Sequence, residues 1–291
     1  VPQADEATET AALTVSGVSV HFGGVTALGD TSLKVASGSV TGLIGPNGAG
    51  KTTLFNVISG LQTPAHGTVH LFDTDVTSMS PHRRARLGLA RTFQRLELFG
   101  SLTASENVQV GLESTVKWWE WRHIRRAMAW RRGSGSTSAE TSVSHEPGSL
   151  AVETSDRLLE GVGLGDLGDQ QSASMPTGLA RMVELARALA IGPKLLLLDE
   201  PGSGLDEAES TALGDLLARL AAGGMAVLLV EHDMELVMRI CDRIYVLDFG
   251  DIIASGTPEE IRGDPAVQAA YLGATPPSAT DPVAGTEGGE R

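Results

Sequence analysis

Apolar positions along the chain fall into short runs separated by amphipathic stretches. Strand-sized segments at Leu13–Phe22, Ser39–Ile44, Leu195–Leu198, Ala226–Val230 and Ile244–Leu247 alternate with helix-sized ones at Lys51–Ser59, Leu179–Ala190 and Glu207–Ala222. That alternation predicts an α/β fold, a mostly parallel sheet covered by helices. Several of the strand-sized runs, such as Leu195–Leu198, lack polar alternation, the pattern of strands buried on both faces. Two regions break the rhythm. Residues from Gly133 to about Ser149 form a Gly/Ser/Thr/Glu tract that reads as a flexible loop. Just before it, Lys117–Arg132 carries Trp118, Trp119, Trp121 and Trp130 among basic residues. Residues 1–11 and 274–291 are poor in groups to bury and read as disordered tails.

Composition narrows the function classes. Over 291 residues, 41% hydrophobic and 20% charged content suits a folded chain and excludes a wholly disordered or collagen-like one. A formal net charge of −14 repels nucleic acid and anionic lipid unless a local basic patch overrides it, so no nucleic-acid partner is expected. The one cysteine, Cys241, cannot close an internal disulfide or build a cysteine metal site, which fits a reducing compartment. No apolar run approaches the about 18 residues of a membrane-spanning helix. The acidic start Val1–Glu6 has no apolar core, so no secretory signal is expected there.

The chemistry concentrates in Gly45-Pro46-Asn47-Gly48-Ala49-Gly50-Lys51-Thr52-Thr53, which follows an expected strand and opens an expected helix. In that context the G-x-x-x-x-G-K-[ST] pattern is a phosphate loop. Its glycines let backbone N–H groups converge on phosphate oxygens, and the positive end of the helix adds to the attraction. Lys51 is expected to reach the β- and γ-phosphates and Thr52 to place its hydroxyl on Mg²⁺. The run Leu195–Leu198 then delivers Asp199 and Glu200 to the carboxyl edge of the sheet, where ligands bind in open α/β sheets. Asp199 is the expected Mg²⁺ partner, and Glu200 the expected base that polarises the attacking water. His232 emerges at another strand end, after Ala226–Val230. Cys241 lies in a helix-like stretch and reads as a packing residue, and Asp248-Phe249-Gly250 reads as a hairpin turn because no His-Arg-Asp loop accompanies it.

Taken together, these residues resemble the ATP-binding subunit of an ABC transporter over roughly Leu13–Gly273. The likeness takes in the phosphate loop, a glutamine loop Ala90-Arg91-Thr92-Phe93-Gln94, the strand ending Asp199-Glu200-Pro201, a D-loop Ser203-Gly204-Leu205-Asp206 and a switch histidine, His232. It implies a P-loop NTPase fold of the ABC ATPase type within residues 12–273: a RecA-like core, an antiparallel β subdomain and a helical subdomain at about 92–180. It implies that ATP and Mg²⁺ are bound, that Gln94 contacts Mg²⁺ and the lytic water, that His232 contacts the γ-phosphate, that Asp206 acts across a dimer interface and that Phe22 holds the adenine. It further implies integral membrane permease subunits, a second ATPase subunit and an external solute-binding protein as partners, with the chain peripheral to the cytoplasmic face of the membrane. The segments Leu98-Phe99, Glu106-Asn107-Val108, Val230–Met238 and Gly256–Ile261 are most similar to the branched-chain amino acid importer group. Lipid-transport ATPases share much of the pattern, and a soluble assembly ATPase is a competing class.

One departure stands out. The family signature, normally Leu-Ser-Gly-Gly-Gln, aligns with Met175-Pro176-Thr177-Gly178-Leu179. In the family this loop closes over ATP held by the opposite subunit. Pro176 removes a hydroxyl and an N–H donor, although a proline suits a helix start and Thr177 could lend a hydroxyl. Two readings stay open: a weakened composite site in an asymmetric heterodimer, which the departure favours over a homodimer, or a variant signature that still works. A weakly hydrolysing regulatory subunit is a third class. The Trp/basic segment also has three readings: a membrane-interface element, a permease contact, or a solvated helix.

Overall fold

The structure is a computed structural model and describes residues 11–113 and 147–272. The expectations for the Trp/basic segment, for the tract up to residue 146 and for the extreme tails lie outside the described residues.

Two sheets organise the chain. The first holds β1 (Ala11–Phe22), β2 (Val25–Ala36), β4 (His66–Leu71) and β5 (Thr74–Asp75) in the antiparallel order β2-β1-β4-β5. The second holds β3 (Val40–Ile44), β6 (Leu89–Arg91), β7 (Leu195–Asp199), β8 (Ala226–Val230), β9 (Arg243–Asp248) and β10 (Asp251–Gly256) in the order β10-β9-β3-β8-β7-β6. Strands β9 to β6 of that order run parallel, and β10 closes one edge as an antiparallel hairpin with β9. Its turn is Asp248-Phe249-Gly250, as expected.

The continuous apolar strands are buried on both faces. Leu196 and Leu198 join a core beneath the helices, while Leu195 and Leu197 join a second core shared with the antiparallel sheet. Val227 and Leu229 alternate with Leu228 and Val230 in the same way. The period-2 pleat thus divides each run between two cores, which explains the lack of polar alternation.

The helices are α1 (Lys51–Ser59), α2 (Pro81–Arg86), α3 (Ala104–Glu113), α4 (Pro147–Gly161), α5 (Thr177–Ala190), α6 (Glu207–Ala222), α7 (Met234–Ile240), α8 (Pro258–Gly263) and α9 (Pro265–Leu272). Helices α3, α4 and α5 pack on one another. Gly111 lets α3 approach α5 closely, since a Cβ there would stand 2.6 Å from the Arg187 carbonyl. The buried Arg84 fixes the far end of α1 by donating to the Val57 and Ile58 carbonyls, each at 2.7 Å.

Several local expectations need correction. Helix α5 begins at Thr177, two residues before the apolar periodicity starts, so Pro176 is the N-cap residue and not part of the first turn. Pro147–Ser149 belong to α4 and not to a flexible tract. Cys241 stands just past α7 in an extended conformation, so the helix ends one residue before it. The tail expectation also overreaches at Ala11, which opens β1.

Candidate functional site

The phosphate loop leaves the carboxyl end of β3 and enters α1 at Lys51. Gly45 has φ 152° and Gly50 φ 110°, and a Cβ at Gly50 would come 2.6 Å from the Ala27 carbonyl. Only glycine fits where the loop runs this close to β2. The turn is pinned by the Gly250 N–H donating to the Ala49 carbonyl at 2.9 Å. Asn47 and Gly48 form its exposed tip, and Thr52 and Thr53 follow in the first turn of α1. Lys51 Nζ donates to the Gly45 and Pro46 carbonyls at 2.6 and 2.9 Å. Burial lowers its pKa, against the opposing pull of Glu200 and Asp199.

The parallel register brings the other predicted residues to the same edge. Asp199 ends β7 with 3% exposure. Burial pushes its carboxyl up, and the adjoining Arg91 pulls it down without fully offsetting that rise. Glu200 follows in the left-handed region at φ 52°, where its N–H donates to the Val230 carbonyl at 2.8 Å. A non-glycine residue held there is under backbone strain of the kind that collects at functional sites. Gln94, beyond β6, donates from Nε2 to Glu200 Oε2 at 3.4 Å. His232 leaves β8 with its side chain 72% exposed and Nδ1 3.5 Å from Glu231 Oε2.

A second group forms around the start of α5 and the loop before α6. Pro176 caps α5 without a side-chain hydrogen bond, and a Cβ at Gly178 would sit 2.9 Å from the Gly204 carbonyl. The first amides of α5 have no intrahelical acceptor and give that helix end a positive character. Asp206 caps α6 through a reciprocal capping box with Glu209. That structural duty adds to the role its motif implies. Phe22, 53% exposed, ends β1 at the hairpin whose second strand passes the phosphate loop.

The hydroxyl of Thr52, the carboxylate of Asp199 and the amide oxygen of Gln94 are hard oxygen donors, the set that suits Mg²⁺. The residues present therefore fit that ion.

Three charged residues that sequence reasoning passed over hold these loops. Arg91 pairs with Asp199 at 3.2 Å. Arg181, on α5, donates to the Gln94 carbonyl at 2.8 Å and from Nε to the Ser203 carbonyl at 3.1 Å. Buried Glu231 accepts from the N–H groups of Gly202 and His232 at 2.6 and 3.0 Å. The available signal was a charge adjoining an apolar strand, as in Leu89-Ala90-Arg91 and Val230-Glu231.

Comparison with known proteins adds a second line of observation. The ABC transporter family model matches residues 28–203, and a branched-chain amino acid ATP-binding cassette transporter model matches residues 252–275. The chain is 38% identical to the high-affinity branched-chain amino acid transport ATP-binding protein LivG of Salmonella typhimurium, covering 90% of this chain and 97% of that protein. It is 36% identical to the lipopolysaccharide export system ATP-binding protein LptB of Acidithiobacillus ferridurans, covering 84% and 89%. Among solved structures, a nucleotide-free ATP-binding cassette from an ABC transporter matches with TM-score 0.73 and 29% identity, covering 90% of this chain and 98% of that one. A cassette in its ADP conformation matches with the same TM-score and 28% identity, covering 90% and 99%.

Proposed function

The chain belongs to the ABC transporter family of ATP-binding subunits, and from that premise we propose that it powers import of branched-chain amino acids or related small polar solutes. The supporting observation is convergence: the phosphate loop, Asp199, Glu200, Gln94 and His232 all leave the carboxyl ends of neighbouring strands, and Gln94 touches Glu200. The choice of cargo rests on the relatives named for branched-chain amino acid transport and on the match at 252–275.

In this reading the loop amides and Lys51 hold the triphosphate, and Phe22 stacks on the adenine. Glu200 and Gln94 orient the attacking water, and His232 meets the γ-phosphate. Thr52, Asp199 and Gln94 would hold Mg²⁺, which when bound neutralises phosphate charge. Catalysis is then mostly positioning and electrostatic stabilisation. Pro176, Thr177, Gly178 and Asp206 face a second ATPase subunit, and the 12–273 domain works on membrane permease subunits with an external solute-binding protein. Among the described residues no helix is long and apolar enough to cross a membrane, in keeping with a chain held at the cytoplasmic face by those partners.

The test is steady-state ATPase activity and nucleotide binding of the chain in its complex, with every co-purifying subunit identified. Glu200→Gln should lower turnover by about 100-fold or more while ATP still binds. The uncapped Pro176 favours one second reading, a weakly hydrolysing regulatory subunit. In that case Glu200→Gln would leave turnover unchanged, at the low level of the unsubstituted chain.

A further inference from the structure

Arg91 closes β6, paired in register with Leu197 of β7, and its side chain is 6% exposed. Its guanidinium reaches two parts of the site at once. Nη2 lies 3.2 Å from Asp199 Oδ2. Nη1 donates to Asn56 Oδ1 at 2.7 Å and to Ser59 Oγ at 3.1 Å, both on α1, the helix that carries Lys51 and Thr52. The rings of Phe93 and Phe55 flank it at 4.9 and 5.5 Å.

Packing alone does not account for an arginine here. Its Nε is buried without a hydrogen-bond partner among the described residues, so the site accepts an orphaned donor to keep the charge. A methionine there would bury no orphaned N–H, but it would take the Arg91 donors away from Asp199 Oδ2 and Asn56 Oδ1. What the arginine adds is a rigid fork that spans Asp199 and α1. The neighbouring Thr92 works on the same residue, its Oγ1 accepting from the Asp199 N–H at 3.3 Å. Two residues further on, Gln94 meets Glu200.

We propose that Arg91 is a positioning residue for the metal-binding carboxylate: it holds Asp199 by one oxygen and ties it to the helix bearing Thr52, which sets the spacing of the magnesium donors. The inference rests on the ATP-binding reading above and deepens it. With Oδ2 engaged by Arg91, Oδ1 would be the oxygen of Asp199 available to hold the ion. Without the clamp, Asp199 and Thr52 remain but lose their fixed relation. Outer-shell partners of this kind are commonly worth about 10- to 100-fold in metal affinity.

The experiment measures binding of a fluorescent ATP analogue to the full chain across a Mg²⁺ titration and in EDTA, for the unsubstituted protein and for Arg91→Met, Arg91→Lys and Asn56→Ala. Arg91→Met should raise the Mg²⁺ concentration giving the half-maximal effect by about 10-fold or more, a far larger change than any in metal-free affinity. Arg91→Lys keeps the charge without the fork and should fall between. Asn56→Ala loosens only the α1 side and should shift the midpoint in the same direction by less, so it carries the test if Arg91→Met fails to fold. An unchanged Mg²⁺ midpoint in Arg91→Met, or in Asn56→Ala where Arg91→Met does not fold, or equal losses with and without Mg²⁺, would overturn the proposal. Absence of Mg²⁺-dependent nucleotide binding in the unsubstituted chain would overturn the ATP-binding reading as well.

Discussion

The carboxylate of Glu231 accepts a hydrogen bond from the Gly202 N–H at 2.6 Å, tying the loop after β7 to the loop after β8. The same carboxylate accepts from the His232 N–H, so one buried side chain anchors both the D-loop side and the switch-histidine side. Glu231→Ala strands those donors in a buried place and should destabilise the fold by about 1–3 kcal/mol. Glu231→Gln keeps an acceptor oxygen and should lose less. Urea unfolding midpoints check the order. A Glu231→Ala midpoint equal to that of the unsubstituted chain would show that the anchor is dispensable.

Phe22 is half exposed at a hairpin end and contributes little to either core. Phe22→Ala should therefore change stability by under about 0.5 kcal/mol. If its ring stacks on adenine, nucleotide binding should weaken by about 1–3 kcal/mol, the scale of base–aromatic stacking. Calorimetric titration with ATP measures this, and unaltered affinity would remove Phe22 from the site.

At the start of α5, Pro176 supplies no side-chain cap. Pro176→Ser restores both a capping hydroxyl and the hydroxyl of the usual signature, and should stabilise the helix by about 0.5–2 kcal/mol. If the proline weakens the composite site, turnover should rise with the thermal midpoint. A higher midpoint with unchanged turnover would mean that the variant signature already works.

Burial pushes the Cys241 thiol up from 9.0 to about 12. In the folded chain at pH 8 the thiol is neutral and 6% exposed, so alkylation by iodoacetamide should be slow until denaturant is added. The sign for stability follows. The folded state favours the protonated thiol, so this contribution is intact below the unfolded value of 9.0. It declines as pH rises from there towards about 12. Rapid labelling under native conditions would contradict the burial.

Much was legible from local pattern. The phosphate loop is contiguous, and its position between β3 and α1 follows from a strand-sized apolar run before it and helical periodicity after it. The pair Asp199-Glu200 was legible for the same reason, since four leucines deliver it to a strand end. Strand β2 was not, because its apolar residues are interrupted by Gly29-Asp30 and neighbouring strands supply its burial. The start of α5 was missed because proline and threonine interrupt the apolar periodicity, while Pro176 still accepts the first turn's hydrogen bond from Ala180 at 3.0 Å.

By itself the sequence determined the candidate groups of the site and the strands before the phosphate loop, Asp199 and His232, since each is a short-range pattern of residue types. Only the tertiary structure decided what holds those groups in place. Arg91 and Asp199 are 108 positions apart, and Arg181 and Gln94 are 87. Glu231 and Gly202 are 29 apart and sit on different strand ends. No local period encodes such pairs. They exist because the order β3-β8-β7-β6 sets distant strand ends side by side and α5 reaches the loop after β6, so that a buried charge finds its partners on a neighbouring element.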